Sequence, residues 1–325
     1  MKKIVLALIA VVVFSSHDMY LKLDTYFLQP NTPARIQLFN GTFDNSDNAI
    51  ARNRMIDVSL VGNGTRTAVD TAQWSEADNT TILNFKTGAA GTWVAGVSTQ
   101  ARNIEMAAAD FNDYLEHDGV LDMLEWRKAN NALDADAVEK YAKHVKAIFQ
   151  VGDQLTDDWQ TALGYPIEFI PLSNPYDLHP GHAMQVQLLW QGEPLANQLV
   201  YAGSKESEHE HHHEHADTAE EPTAHHHDLT QLRTDADGKL TLDITHQGIW
   251  YLRTIYMTQS EEAGLTHESN WATLTFEIGE GHSHEHEAAH SHGEEAGLGI
   301  PSYVYWIGSL VLVAGLFFIF NRRAK

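Results

Sequence analysis

Cysteine is absent from the 325 residues. No disulfide, lipidated cysteine or thiol nucleophile is therefore available, and packing must hold the fold. Basic residues are scarce as well, with 21 Lys and Arg against 44 Asp and Glu and a formal net charge of -23. A polyanion offers no footprint to nucleic acid, and cationic partners suit it better. Catalytic signatures are missing too: the chain has no G-x-S-x-G elbow, no H-E-x-x-H helix and no Walker loop. These absences point to a binding protein rather than an enzyme.

Apolar runs are confined to the two ends. The opening "MKKIVLALIAVVVFSS", residues 1–16, has a lysine pair, an apolar run and small residues after it, the pattern of a secretory signal peptide. Cleavage after Ser15 or Ser16 leaves His17 at or next to the new N-terminus. Near the other end, Pro301 to Phe320 is uncharged, close to the ~20 residues a bilayer core requires. Tyr303, Tyr305 and Trp306 sit at one border and Arg322, Arg323 and Lys325 at the other, as an aromatic belt and a positive-inside flank would. This predicts a transmembrane helix over 301–321, a cytoplasmic tail over 322–325, and the bulk of the chain in the periplasm or outside the cell.

Histidine is what the chain has in excess. Of 20 histidines, 13 lie in two short tracts. The first holds His209, His211, His212, His213, His215, His225, His226 and His227; the second holds His282, His284, His286, His290 and His292. Neutral imidazole suits zinc, nickel, cobalt and copper(II), and the interleaved glutamates raise the local cation concentration. Flexible tracts of this kind give many modest, loosely selective sites. A solvated linker and a pH sensor are the rival readings of the same residues. His17 is the sharper candidate, because an α-amine and an imidazole can chelate one ion together.

Between the ends, period-2 alternation at Ile56/Val58/Leu60, Met184/Val186/Leu188, Leu240/Leu242/Ile244 and Ala272/Leu274/Phe276/Ile278 predicts half-buried strands. Turns such as "VGNGT" and "TDADGK" separate them. The expected class is mainly β, with two Ig-like β-sandwich domains over 17–105 and 153–279. A helical insertion is predicted over 106–152, where Val138, Tyr141, Val145 and Ile148 recur at helical spacing and Asp136 with Glu139 mimics a capping box. The first His tract, 205–228, is then a loop on the second sandwich, and 280–300 is a His-rich linker to the anchor. The remaining histidines, His117, His144, His179, His182, His246 and His267, are read as ordinary polar residues.

Several blocks carry a resemblance. Gly164, Pro166, Glu168 and Pro171, then Asn174-Pro175, Gly181 and "GEPL", are joined by "DADGKLTL", Gly248/Trp250, "SNWATLTFE", "YAKHV" and "SHDMYL". With these the chain resembles an uncharacterised family of secreted, periplasmic proteins labelled as the periplasmic component of cobalt/nickel transport systems. The resemblance implies an all-β exported protein associated with transition-metal handling. The resulting expectation is a membrane-anchored protein that captures a divalent transition metal (nickel, cobalt, zinc or copper) and presents it to a membrane metal transporter. The alternatives are a structural or adhesive β-sandwich surface module with incidental His tracts, and a copper enzyme using His17.

Overall fold

A computed structural model describes residues 17–206 and 229–279. Their first part runs β1 (Asp18–Leu23), β2 (Phe27–Leu28), β3 (Pro33–Gly41), β4 (Met55–Gly62), β5 (Thr65–Ala68), β6 (Trp74–Ala77), β7 (Thr80–Lys86), β8 (Gly91–Thr99) and β9 (Arg102–Met106). Two helices follow, α1 (Ala108–His117) and α2 (Leu121–Ala129), then the long strand β10 (Ala137–Val151). The rest is β11 (Ile167–Pro171), β12 (Ala183–Trp190), β13 (Glu193–Pro194), β14 (Leu199–Glu206), β15 (Thr230–Arg233), β16 (Lys239–Asp243), β17 (Gly248–Gln259) and β18 (His267–Ile278).

Three sheets result, and the largest draws strands from both halves of the chain. Its order is β15-β14-β17-β18-β10-β8-β4-β5, with β2 and β9 also paired to β10. Strand β10 runs parallel to β18, with Glu139 opposite His267, and antiparallel to β8 and β9. A second sheet, β1-β3-β7-β6, covers one face through Val145, Ala147 and Phe149 of β10 and Ile36, Leu38 and Leu83. The third sheet, built on β11, β12, β13 and β16, covers the other face, where Ile148, Leu252 and Leu274 meet Phe169, Met184 and Leu188. Thr273 and Thr275 of β18 donate to the carbonyls of Met19 (2.8 Å) and Leu21 (2.5 Å), seating β1 on the central sheet.

This arrangement corrects the helical insertion. Residues 108–117 and 121–129 are helical, but 137–151 are a strand. A strand buried on both faces has no solvent side, so its apolar residues lose the period-2 signature and a chance helical spacing takes over. Asp136 does cap a helix, though not its own segment: its Oδ1 accepts from the backbone N–H of Ala108 at 2.9 Å, at the start of α1. Phe111, Leu115 and Leu124 then bury α1 and α2 against Ile255 and Trp271. A tight link joins the helices at Gly119 (φ +74°), where a Cβ would fall 2.3 Å from the Tyr201 hydroxyl. Ile56, expected inside with Val58 and Leu60, is 67% exposed, because the register slips between Met55 and Asp57 and turns it outward.

The predicted signal peptide, both His tracts and the apolar segment 301–321 lie outside the described residues. Among the described residues, no helix is long and apolar enough to cross a membrane. The ends of the first tract are nevertheless placed. Strands β14 and β15 pair as a hairpin, with Ala202 opposite Thr230, so residues 207–228 join two neighbouring strands at one edge of the central sheet.

Candidate functional site

Of the 14 residues singled out as metal ligands, His17 alone falls among the described residues. It immediately precedes β1, and its Nδ1 lies 2.9 Å from Asp47 Oδ2. Asp47 belongs to a closely held loop, 42–48. Its backbone N–H donates to the Asn40 carbonyl at 3.0 Å, and Asn40 Nδ2 donates to Asn48 Oδ1 at 2.9 Å. Gly41 makes the turn possible, since a Cβ there would fall 2.3 Å from the Asn45 carbonyl. Phe43 anchors the loop by stacking on Tyr251 at 4.1 Å, with Tyr20 edge-on at 5.2 Å. On the outer side of the loop, Asp44 Oδ1 meets Lys205 Nζ at 3.1 Å, next to the start of the first His tract. Both partners are exposed, so this pair marks proximity more than stability.

Behind His17 opens a cavity of about 220 Å³. Arg54, Glu139, Tyr141 and Lys143 supply its charged and polar wall; Ile104, Met106 and Trp271 supply its apolar wall. Glu139, Tyr141 and Lys143 alternate along β10, so one face of that strand carries all three. Lys143 Nζ donates to the His17 carbonyl, and Asn40 Oδ1 lies 3.4 Å away. The ammonium also lies 4.6 Å from the centre of the Trp271 ring. Glu139 Oε1 accepts from Tyr114 at 3.2 Å and from Ser269. Beneath this wall, Asp18 Oδ2 and Arg253 Nε form a buried ion pair at 2.9 Å, to which the Tyr20 hydroxyl donates at 3.0 Å.

Burial pushes the Glu139 carboxyl up to about 7, against the hydrogen bonds from Ser269 and Tyr114. It pulls the Lys143 ammonium down to about 8, against the attraction of Asp18 and Asp118. The folded chain thus holds a Glu139 proton that the unfolded chain loses above about pH 4.5, so this stabilising contribution is full at acid pH and gone above about 7. Lys143 has the opposite sign: its contribution is full above about 10.5 and is lost as pH falls to about 8. Each limb spans at most roughly 3.5 kcal/mol at ~1.4 kcal/mol per unit. Urea titrations across pH should therefore show the acid limb flattened in Glu139→Gln and the alkaline limb flattened in Lys143→Met. Wild-type slopes retained in both variants would refute the assignment.

A family model described as a domain of unknown function, DUF4198, matches residues 14–258. The chain belongs to the DUF4198 family. No curated protein matches it. Among solved structures, the alpha-2-macroglobulin of Salmonella reacted with methylamine aligns with 80% of this chain and 15% of its own length, at 11% identity and TM-score 0.22. The D0-D1 domain of intimin aligns with 80% of this chain and 97% of its own, at 14% identity and TM-score 0.17. FdeC, an Escherichia coli adhesin, aligns with 82% of this chain and 64% of its own, at 14% identity and TM-score 0.21. The DUF4198 chain thus spans about 15% of the macroglobulin's length.

The DUF4198 match takes in His17, the first tract and the lining of the cavity except Trp271. Among the described residues, no group of three or more His, Asp or Glu side chains is spaced to hold a metal ion, and His17 and Asp47 stand as a pair. Two histidines read as ordinary polar residues are core residues instead. His144, on β10 rather than a helix, is held between Ser98 Oγ at 2.9 Å and Asn270 Oδ1 at 3.1 Å, and burial pulls it down to about 4. His267 packs on Phe111 with ring centres 4.7 Å apart, and burial pulls it down to about 4 as well. His179 and His182 neighbour each other in a loop, their ring centres 4.6 Å apart. Sequence reasoning missed Arg54, Glu139 and Lys143 as site residues; the "YAKHV" block was the one signal that pointed at Lys143.

Proposed function

We propose that this DUF4198 protein captures divalent transition metals of the nickel, cobalt, zinc and copper class outside the cytoplasm. Residues 301–321 hold it to the membrane, and it presents the ion to a membrane metal transporter. The observation that supports this most is a convergence on loop 42–48, which orients His17 through Asp47 and meets Lys205 at the base of the first His tract through Asp44. A carboxylate on one imidazole nitrogen fixes the tautomer and raises the basicity of the other, the usual setting of a metal-ligating histidine. In this reading the tracts gather ions loosely, and His17 accepts one of them more tightly through Nε2 while Asp47 holds Nδ1.

Full-length protein purified without an affinity tag, titrated calorimetrically with nickel, provides the test. Wild type should bind several ions per chain, most of them weakening as imidazoles protonate below about pH 6.5. Replacing the 13 tract histidines by Asn should cut the number of ions and spare the tightest, whereas His17→Ala should remove that one and leave the rest. Unchanged stoichiometry in the tract variant would reduce the tracts to solvated linker. A surviving tight phase in His17→Ala would eliminate the N-terminal site.

A further inference from the structure

Two cations face the cavity behind His17, and among the described residues neither has a carboxylate within ion-pair distance. Lys143 is 6% exposed, and its Nζ meets neutral oxygens only: the His17 carbonyl and Asn40 Oδ1. Arg54 lies 5.9 Å from the centre of the Tyr141 ring, and its Nε is buried without a hydrogen-bond partner. Nearby acids are engaged elsewhere, Asp18 with Arg253, and Glu139 with Tyr114 and Ser269. Withdrawing a charge from water without an opposite partner is strongly unfavourable. A buried Lys143 and a half-buried Arg54 on one wall, in a chain with a net charge of -23, are a local reversal of sign that an arriving anion would satisfy.

We propose that this cavity binds a small organic anion with a single carboxylate head and a short apolar body. The head lies between Lys143 and Arg54, whose guanidinium can present paired donors to a carboxylate. The body lies against Ile104, Met106 and the Trp271 ring. A volume of about 220 Å³ admits a small aromatic or branched acid. The apolar wall, and a Glu139 that repels negative charge when ionised, argue against inorganic phosphate or a di-acid. This inference is independent of metal capture, since it uses neither the His17 ring nor the tracts.

Benzoate is a suitable probe, with benzamide as its uncharged isostere, titrated calorimetrically into the full-length protein at about pH 6 in a chelator-containing buffer. At that pH Glu139 is mostly protonated. Wild type should bind one benzoate per chain with a Kd below about 1 mM, and benzamide at least about ten-fold more weakly. Arg54→Gln, a change at the cavity rim that leaves the core intact, should weaken benzoate at least about ten-fold, and Lys143→Met should do the same. The tract-replaced protein should bind benzoate like wild type, which separates this site from metal capture. Absence of saturable benzoate binding, benzamide binding as tightly as benzoate, or an undiminished affinity in Arg54→Gln would each overturn the proposal.

Discussion

Glu168→Ala is expected to destabilise the fold by roughly 3–5 kcal/mol, the usual loss when one member of a buried ion pair is removed. Glu168 is 3% exposed and its partner Lys146 1%, with Nζ and Oε2 3.1 Å apart. The same carboxylate accepts the backbone N–H groups of Leu163 and Gly164, each at 2.9 Å, so it also pins the entry to β11. Burial pulls the Lys146 ammonium below its ordinary range, and Glu168 opposes that pull. Removing Glu168 strands the ammonium between the central sheet and the third sheet. At ~2–4 °C per kcal/mol for a domain of this size, the melting temperature should fall by about 6–20 °C. The pair Lys146→Met/Glu168→Gln should recover most of the loss, because no unpaired charge remains and an acceptor for the two N–H groups is kept. A drop below about 1 kcal/mol in the single variant would show that water reaches Lys146.

Asp18→Ala should be comparably severe, at roughly 3–5 kcal/mol, and should also disturb the site. Arg253 is 1% exposed and Asp18 6%. Burial works against the Arg253 charge, but Asp18, Tyr20 and Asp118 outweigh it and hold its pKa above the usual range. Its Nη2 also donates to the Asp118 carbonyl at 2.8 Å, which ties β17 to the end of α1. Because Asp18 adjoins His17 in the chain, losing it should loosen the strand that places the imidazole. Chemical unfolding and nickel titration on the same preparation are informative together: lower stability and a weakened tight phase are expected from Asp18→Ala. Full retention of both would mean that Arg253 finds another anion.

Much of the fold is legible in the sequence, and where it is not the reasons are physical. Met184, Val186 and Leu188 alternate inward as read, as do Leu240, Leu242 and Ile244, because their sheet has one buried face. Strand β10 defeated the same logic by being covered on both sides. The site follows a different rule. His17 stood out because it adjoins the cleavage site the sequence predicts, whereas Arg54, Glu139 and Lys143 come from two distant strands or their approaches and share no motif. Glu139 looked like a capping residue only because its strand looked like a helix. What joins these residues is the parallel pairing of β10 with β18 and the seating of β1 over it. No local spacing encodes that.

The hairpin beneath the first His tract has an evolutionary consequence. The 22 residues between Glu206 and Leu229 are inserted where β14 and the edge strand β15, already paired, hold their ends together. Closing a loop grows harder only with the logarithm of its length, about 0.6 kcal/mol per doubling. Copying or deleting short His-Glu units in the gene would therefore leave both the hairpin and the cavity almost untouched. Lineages could change the number of imidazoles by replication slippage alone, while selection on the folded layers continued undisturbed.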